Sequence, residues 1–176
     1  MKKLIFVFIV IFGFSFNTFA QKGSVHCFAL GTLVTMSDKT QKKIEEIKIG
    51  DKILSFDLNT KQTKESVVES ISFSKQKNLV TFVFENGKTI TSTDDHPFFT
   101  NNGWASLNPS KTVNYLGLEN VAKIEFGDLF VTEKKSVKLK ATSLSSKAKM
   151  TYSIVKLNNS NTFFANGFVV GVEQLK

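Results

Sequence analysis

The 176-residue sequence contains no arginine, a single cysteine and two histidines. Bidentate recognition of phosphate and guanine favours the guanidinium fork. A chain with net charge +8 but no arginine is therefore not read as a nucleic-acid binder. Its lysines are scattered among acids, as on a solvated surface. One cysteine excludes an intrachain disulfide, so the fold must rest on its core. One cysteine and two histidines match no closed structural zinc site. No phosphate-binding glycine loop or other cofactor motif occurs, so neither metal nor cofactor is expected.

The chain opens on Met1-Lys2-Lys3, a basic start, followed by an apolar run from Leu4 to Phe16. Thr18-Phe19-Ala20 then offers small residues at the two positions a signal peptidase reads. Residues 1–20 are expected to be a cleavable signal, because the run is too short to span a bilayer comfortably. Export to the periplasm, the cell surface or the medium follows, with no membrane association once the signal is gone. Loss of Lys2 and Lys3 takes the net charge from +8 to +6. The remainder, from Gln21, suits one monomeric domain with a sizeable core. An odd cysteine in an exported chain points to a reactive thiol or an intermolecular bridge.

Short β segments dominate. Thr32–Met36, Lys52–Phe56, Ser66–Phe73, Asn78–Phe84 and Thr89–Thr93 read as strands. Asn86-Gly87 and Asn166-Gly167 predict type I′ hairpins, because both central residues of that turn need positive φ. Asn101-Asn102-Gly103 predicts a further tight turn, and Gly50-Asp51 and Gly127-Asp128 look like strand entries. Lys42–Ile49 has spacing for a turn or two of helix at most. The expected fold class is all-β, one compact domain of many short strands.

Three blocks carry a resemblance. "CFALGTLVTMSDKTQKKIEEIKIGDKILSFD", from Cys27, has a cysteine, an aromatic and Gly-Thr before a strand, then Gly-Asp opening the next. "TSTDDHPFFTNNGWASL", from Thr91, sets Thr93 three places before His96. "TYSIVKLNNSNTFFANGFVVGVE", from Thr151, reads as a closing pair of strands. In this order they resemble the Hint domains, the self-processing modules of inteins, hedgehog C-terminal domains and bacterial intein-like proteins. The resemblance implies a horseshoe-shaped β fold over residues 27–172 whose ends meet at one site, with a short flank 21–26 before it and a tail 173–176 after it.

It also implies a chemistry. The Cys27 thiol would attack the carbonyl of His26, turning an amide into a thioester. His96 would protonate the departing nitrogen, and Thr93 would orient the scissile peptide. Water, an external thiol or an amine would resolve the thioester. The substrate is the chain's own N-terminal flank, so the event is single-turnover and not that of a turnover enzyme.

The pattern also breaks. Splicing inteins end in His-Asn, and here those positions hold Gly171 and Val172. Valine cannot cyclise, so splicing is not expected. Ser153 and Asn161 replace the family's frequent aspartate and histidine, and Ser72 falls near the hedgehog sterol-activating aspartate. A Hint fold that has stopped cleaving and persists as a secreted structural or binding module is the alternative. A cysteine peptidase acting on other chains would need an orienting partner for His96. Asp94 or Asp95 is available for that, although both also suit turn capping.

Overall fold

The computed structural model describes residues 26–115, 117–118 and 120–172. The predicted signal, the flank up to Val25 and the tail 173–176 lie outside the described residues. The described chain is mostly antiparallel β-structure. The strands in chain order are β1 (Phe28–Ala29), β2 (Leu33–Thr35), β3 (Gln41–Lys43), β4 (Lys52–Phe56), β5 (Thr63–Gln76), β6 (Leu79–Phe84), β7 (Thr89–Ser92) and β8 (Phe98–Thr100). They continue as β9 (Gly103–Ser106), β10 (Ala122–Lys123), β11 (Leu129–Phe130), β12 (Val137–Ser145), β13 (Lys149–Leu157), β14 (Thr162–Ala165) and β15 (Phe168–Gly171). One helical turn, α1, spans Pro109–Thr112.

The strands form a continuous path, β3-β2-β14-β15-β8-β11-β12-β6-β7-β1-β13-β5-β4, with β9 on β8 and β10 on β9. β5 holds two parts of this path together. Its first residues, Thr63–Val67, pair with β4, and Val68–Gln76 pair with β13. Its inward face is Ser66, Val68, Ser70, Ser72 and Ser74, while Ile71 and Phe73 point outward and are exposed. The alternation therefore puts the small polar residues inside and large apolar ones outside.

Phenylalanines fill the core. Phe82, Phe84, Phe98, Phe130 and Phe168 are buried in one cluster. The Phe84 and Phe168 rings stack at 4.2 Å between centroids, and the Phe82–Phe98 and Phe84–Phe130 pairs sit at 5.0 Å. Such geometry adds roughly 0.5–1.5 kcal/mol per pair beyond the burial itself.

The Asn166-Gly167 hairpin is as expected, with φ of 49° and 82° at its two central residues and Ala165 opposite Phe168. The other Asn-Gly differs. Gly87 has φ 79°, but Asn86 is not left-handed. Gly87 N–H donates to Phe84 C=O at 3.0 Å, and Phe84 N–H donates to Lys88 C=O at 3.0 Å. This is a three-residue loop with glycine in the left-handed position. The Asn86 carboxamide accepts the Lys88 N–H at 3.0 Å, which favours the wider loop. The Lys42–Ile49 helix shrinks to one 3-10 turn at Ile44–Glu46, because Lys42 and Lys43 are drawn into β3 against β2.

Both ends of the domain converge on one segment. Thr93 N–H donates to Cys27 C=O at 3.0 Å, and Gly171 N–H donates to Pro97 C=O at 3.1 Å. Residues 93–97 thus hold the chain just before β1 and the last residue of β15.

Candidate functional site

Cys27 is set by its neighbour. Phe28 inserts β1 between β7 and β13, opposite Ser92 on one side and Tyr152 on the other. The Phe28 side chain is wholly buried against His96, Phe98 and Phe163. Cys27, one residue earlier, is therefore buried too, with 0% exposure. Thr93 grips its backbone twice. The Cys27 N–H donates to Thr93 Oγ1 at 3.2 Å, and the Cys27 carbonyl receives the Thr93 N–H. The sulfur lies 3.8 Å from Ser74 Oγ, which in turn accepts from Gln76 Nε2 at 3.0 Å.

His96 lies at the foot of β8, its ring 3.9 Å from that of Phe28 and 5.6 Å edge-on from that of His26. Neither ring nitrogen has a hydrogen-bond partner among the described residues. Burial drives its pKa well below 6.5, and proximity to His26 adds to that. The Asp95 charge and the His26 backbone pull the other way. The imidazole is neutral at physiological pH and holds a lone pair in an apolar setting.

The sequence placed Asp95 as a partner for His96 or a turn cap. The structure sets it against His26 instead, Oδ2 to Nδ1 at 3.3 Å, with both side chains buried. Burial raises the Asp95 pKa, but the His26 ring and the Thr93 hydroxyl, with a smaller contribution from the nearby His96 ring, outweigh it and hold the carboxyl at about 2. Burial lowers the His26 pKa against the opposing pull of Asp95 and Asp94. The His26 ring also lies on Tyr115, with centroids 3.4 Å apart. Asp94 takes the turn-stabilising role. Its carboxylate accepts from Asn108 Nδ2 at 3.0 Å and from Lys111 Nζ at 3.2 Å.

The four candidates Cys27, Thr93, His96 and His26 are thus brought together. Tyr115 and Ser74 were missed, since neither carries a sequence signal of its own. Asp95 was visible in its block, but its target was not. Beside Thr93 and Asp95 a surface cavity of about 460 Å³ opens, with Lys75, Lys77 and Lys111 in its wall. Among the described residues, no three His, Cys, Asp or Glu side chains are grouped as metal ligands.

The departing positions are packed for other side chains. A Cβ on Gly171 would meet Pro97 Cγ at 2.9 Å and Trp104 at 3.5 Å. Val172 is buried, and its N–H donates to Asn161 C=O at 3.0 Å. Ser72 and Ser153 stand directly opposite each other on β5 and β13.

Comparisons with known proteins place this geometry. A bacterial intein-like domain from Clostridium thermocellum superposes with a TM-score of 0.69 at 21% identity, covering 85% of this chain and 99% of that one. A DnaB intein from Synechocystis gives 0.69 at 13% identity, covering 84% and 98%. The gp41-1 intein gives 0.61 at 21% identity, covering 84% and 99%. A curated relative, the DNA-directed RNA polymerase III subunit rpc2 of Dictyostelium discoideum, is 37% identical over 81 residues. That stretch is 44% of this chain and 5% of the relative, so the chain spans a small fraction of its length. The family model described as "Ataxin-1 and HBP1 module (AXH)" matches residues 28–135. That match is weak and names a different module. It begins one residue past Cys27 and stops short of β12 to β15, whereas the intein-type structures are covered almost end to end. The chain has the fold of intein-like Hint domains.

Proposed function

We propose that this domain cleaves its own chain at the His26–Cys27 bond through an N-to-S acyl shift. An intein-like Hint fold suggests self-processing in general. The observation that carries the specific reading is the double backbone grip of Thr93 on Cys27, with the buried His96 ring beside the same peptide. The Cys27 sulfur attacks the His26 carbonyl carbon, and a C–S bond forms. The C–N bond then breaks and leaves a thioester and the α-amine of Cys27. A neutral His96 accepts the thiol proton and returns it to the departing nitrogen, so no net charge is created in the buried site. The Thr93 hydroxyl holds the amide in the orientation this transfer needs.

Water, a thiol or an amine resolves the thioester and frees the N-terminal flank. Export through residues 1–20 would place the event outside the cytoplasm. Gly171 and Val172 offer no group for release at the C-terminal side, so splicing is not part of this reading.

Intact mass of the full chain tests it, followed over time with and without dithiothreitol or hydroxylamine. The expected result is a cut at His26–Cys27, absent from Cys27→Ala and slowed in Thr93→Val. A stable mass, with Cys27 alkylatable after unfolding, would refute self-cleavage. That outcome would leave a Hint fold serving as a structural or binding module.

A further inference from the structure

We infer that Asp95 and Tyr115 form a subsite for the residue preceding the nucleophile, and that this subsite selects histidine. The inference rests on the cleavage reading above. His26 has 0% exposure, although it is the last residue of the segment to be released. Two groups meet its ring. The Tyr115 ring lies 3.4 Å away between centroids, tilted by 38°, and Asp95 supplies a carboxylate oxygen 3.3 Å from Nδ1.

Other residues satisfy only one of them. Phenylalanine would lie on Tyr115 but leave a buried carboxylate without its ring nitrogen, a costly arrangement. Glutamine would offer Asp95 an N–H but no ring. Alanine would do neither and would leave a void. Lysine would bring its charge past the carboxylate on a longer stem. Of these, histidine alone fits both.

Selection matters for the reaction because of where the contacts sit in sequence. Thr93 and Asp95 belong to one four-residue stretch, Thr93–His96. Thr93 fixes the amide on the Cys27 side of the bond, and Asp95 fixes the side chain on the His26 side. His96 closes the same stretch with its ring 5.6 Å from that of His26. The scissile peptide is therefore held at both ends by a single turn. Asp95 and Tyr115 act as positioning residues through His26, and a loose His26 would let the carbonyl swing away from the sulfur.

The test measures thiol-induced cleavage of the full chain by intact mass, alongside the melting temperature of each protein. The set is wild type, His26→Phe, His26→Gln, His26→Ala, Asp95→Asn and the His26→Phe/Asp95→Asn double variant. Expected is a loss of about tenfold or more in rate for His26→Phe and His26→Ala, with the Phe protein melting close to wild type. Asp95→Asn should slow the wild type by a similar factor and change the His26→Phe protein by less than about twofold. Phe and Ala variants cleaving at the wild-type rate would overturn the inference. So would an Asp95→Asn effect of equal size in both backgrounds. If the wild type does not cleave at all, the cleavage reading fails by itself. The subsite is then judged by a urea-unfolding cycle over His26→Phe and Asp95→Asn, in which additive effects would overturn it. Should Asp95→Asn fail to fold, Tyr115→Leu against Tyr115→Phe replaces it, with only the leucine protein expected to lose rate.

Discussion

Acid should begin to destabilise this protein at a pH where its carboxylates are still ionised. The perturbation is proton uptake by His96. In the unfolded chain its ring titrates near the ordinary 6.5, whereas in the folded chain burial and the neighbouring His26 ring hold the pKa well below that value. A depressed histidine is protonated more readily in the unfolded state. Its contribution is therefore fully present above pH 6.5 and is lost as pH falls below it, until the folded ring also titrates. One proton per molecule corresponds to a slope of about 1.4 kcal/mol per pH unit. By pH 5.5 the excess protonation of the unfolded ring alone costs about 1.4 kcal/mol relative to pH 8. His26 is depressed in the same direction and adds to the loss. Asp95, held at about 2, adds a loss in the same direction, but only near pH 4 and below, where the unfolded carboxylate takes up its proton. Against a typical stability of about 5–15 kcal/mol, the histidine effect is readily measured. Urea titrations of wild type and His96→Gln at pH 8, 6.5 and 5.5 isolate it. The wild type should lose up to about 1.4 kcal/mol more than the variant between pH 8 and 5.5. Parallel pH dependences for the two proteins would refute the reasoning.

The other expectations concern packing and turns. Gly171→Ala should cost about 1–3 kcal/mol by urea unfolding, since its new Cβ meets the Pro97 ring at 2.9 Å; an unchanged midpoint would mean that ring yields freely. Asn166→Ala should lower stability by about 1–3 kcal/mol. Its side chain accepts from Leu33 N–H at 2.8 Å and donates to Thr89 C=O at 2.9 Å, tying β2 and β7 to the β14–β15 hairpin; a melting temperature equal to wild type would show those bonds to be replaceable by water. Phe82→Ala, in the middle of the phenylalanine cluster, should cost about 3–5 kcal/mol, and a smaller loss in chemical denaturation would mean the cluster collapses around the gap.

Much of this was legible in the sequence, and the exceptions have physical causes. Asn166-Gly167 was read correctly because both residues accept positive φ, and no competing interaction intervenes. Asn86-Gly87 was misjudged because the Asn86 carboxamide finds the Lys88 N–H and steadies a wider loop. β12 was not read as a strand at all. Its stretch from Ala141 to Ser145 is mostly small, polar and exposed, and it is held by backbone pairing to β6, which no side-chain period reports. Cys27, Thr93 and His96 were singled out through the resemblance of two separated blocks to Hint domains. Tyr115 was not, because it reaches His26 from a segment with no motif. Asp95 illustrates a general limit. Its chemistry was visible, but the choice between His96 and His26 as partner depends on which ring the turn brings to 3.3 Å.

The burial of Cys27 makes it a clock. The thiol is packed beside Ser74, with its backbone held by Thr93, and a reagent in solution cannot reach a residue with 0% exposure until that packing opens. Alkylation of the folded protein therefore reports how often it opens. At low reagent concentration the rate is the product of an opening equilibrium and the intrinsic reactivity of the thiol. At high concentration it levels off at the opening rate itself. Any exogenous thiol or amine meant to capture an acyl group at this sulfur waits on the same door, so its effect should saturate at that ceiling however strong the nucleophile.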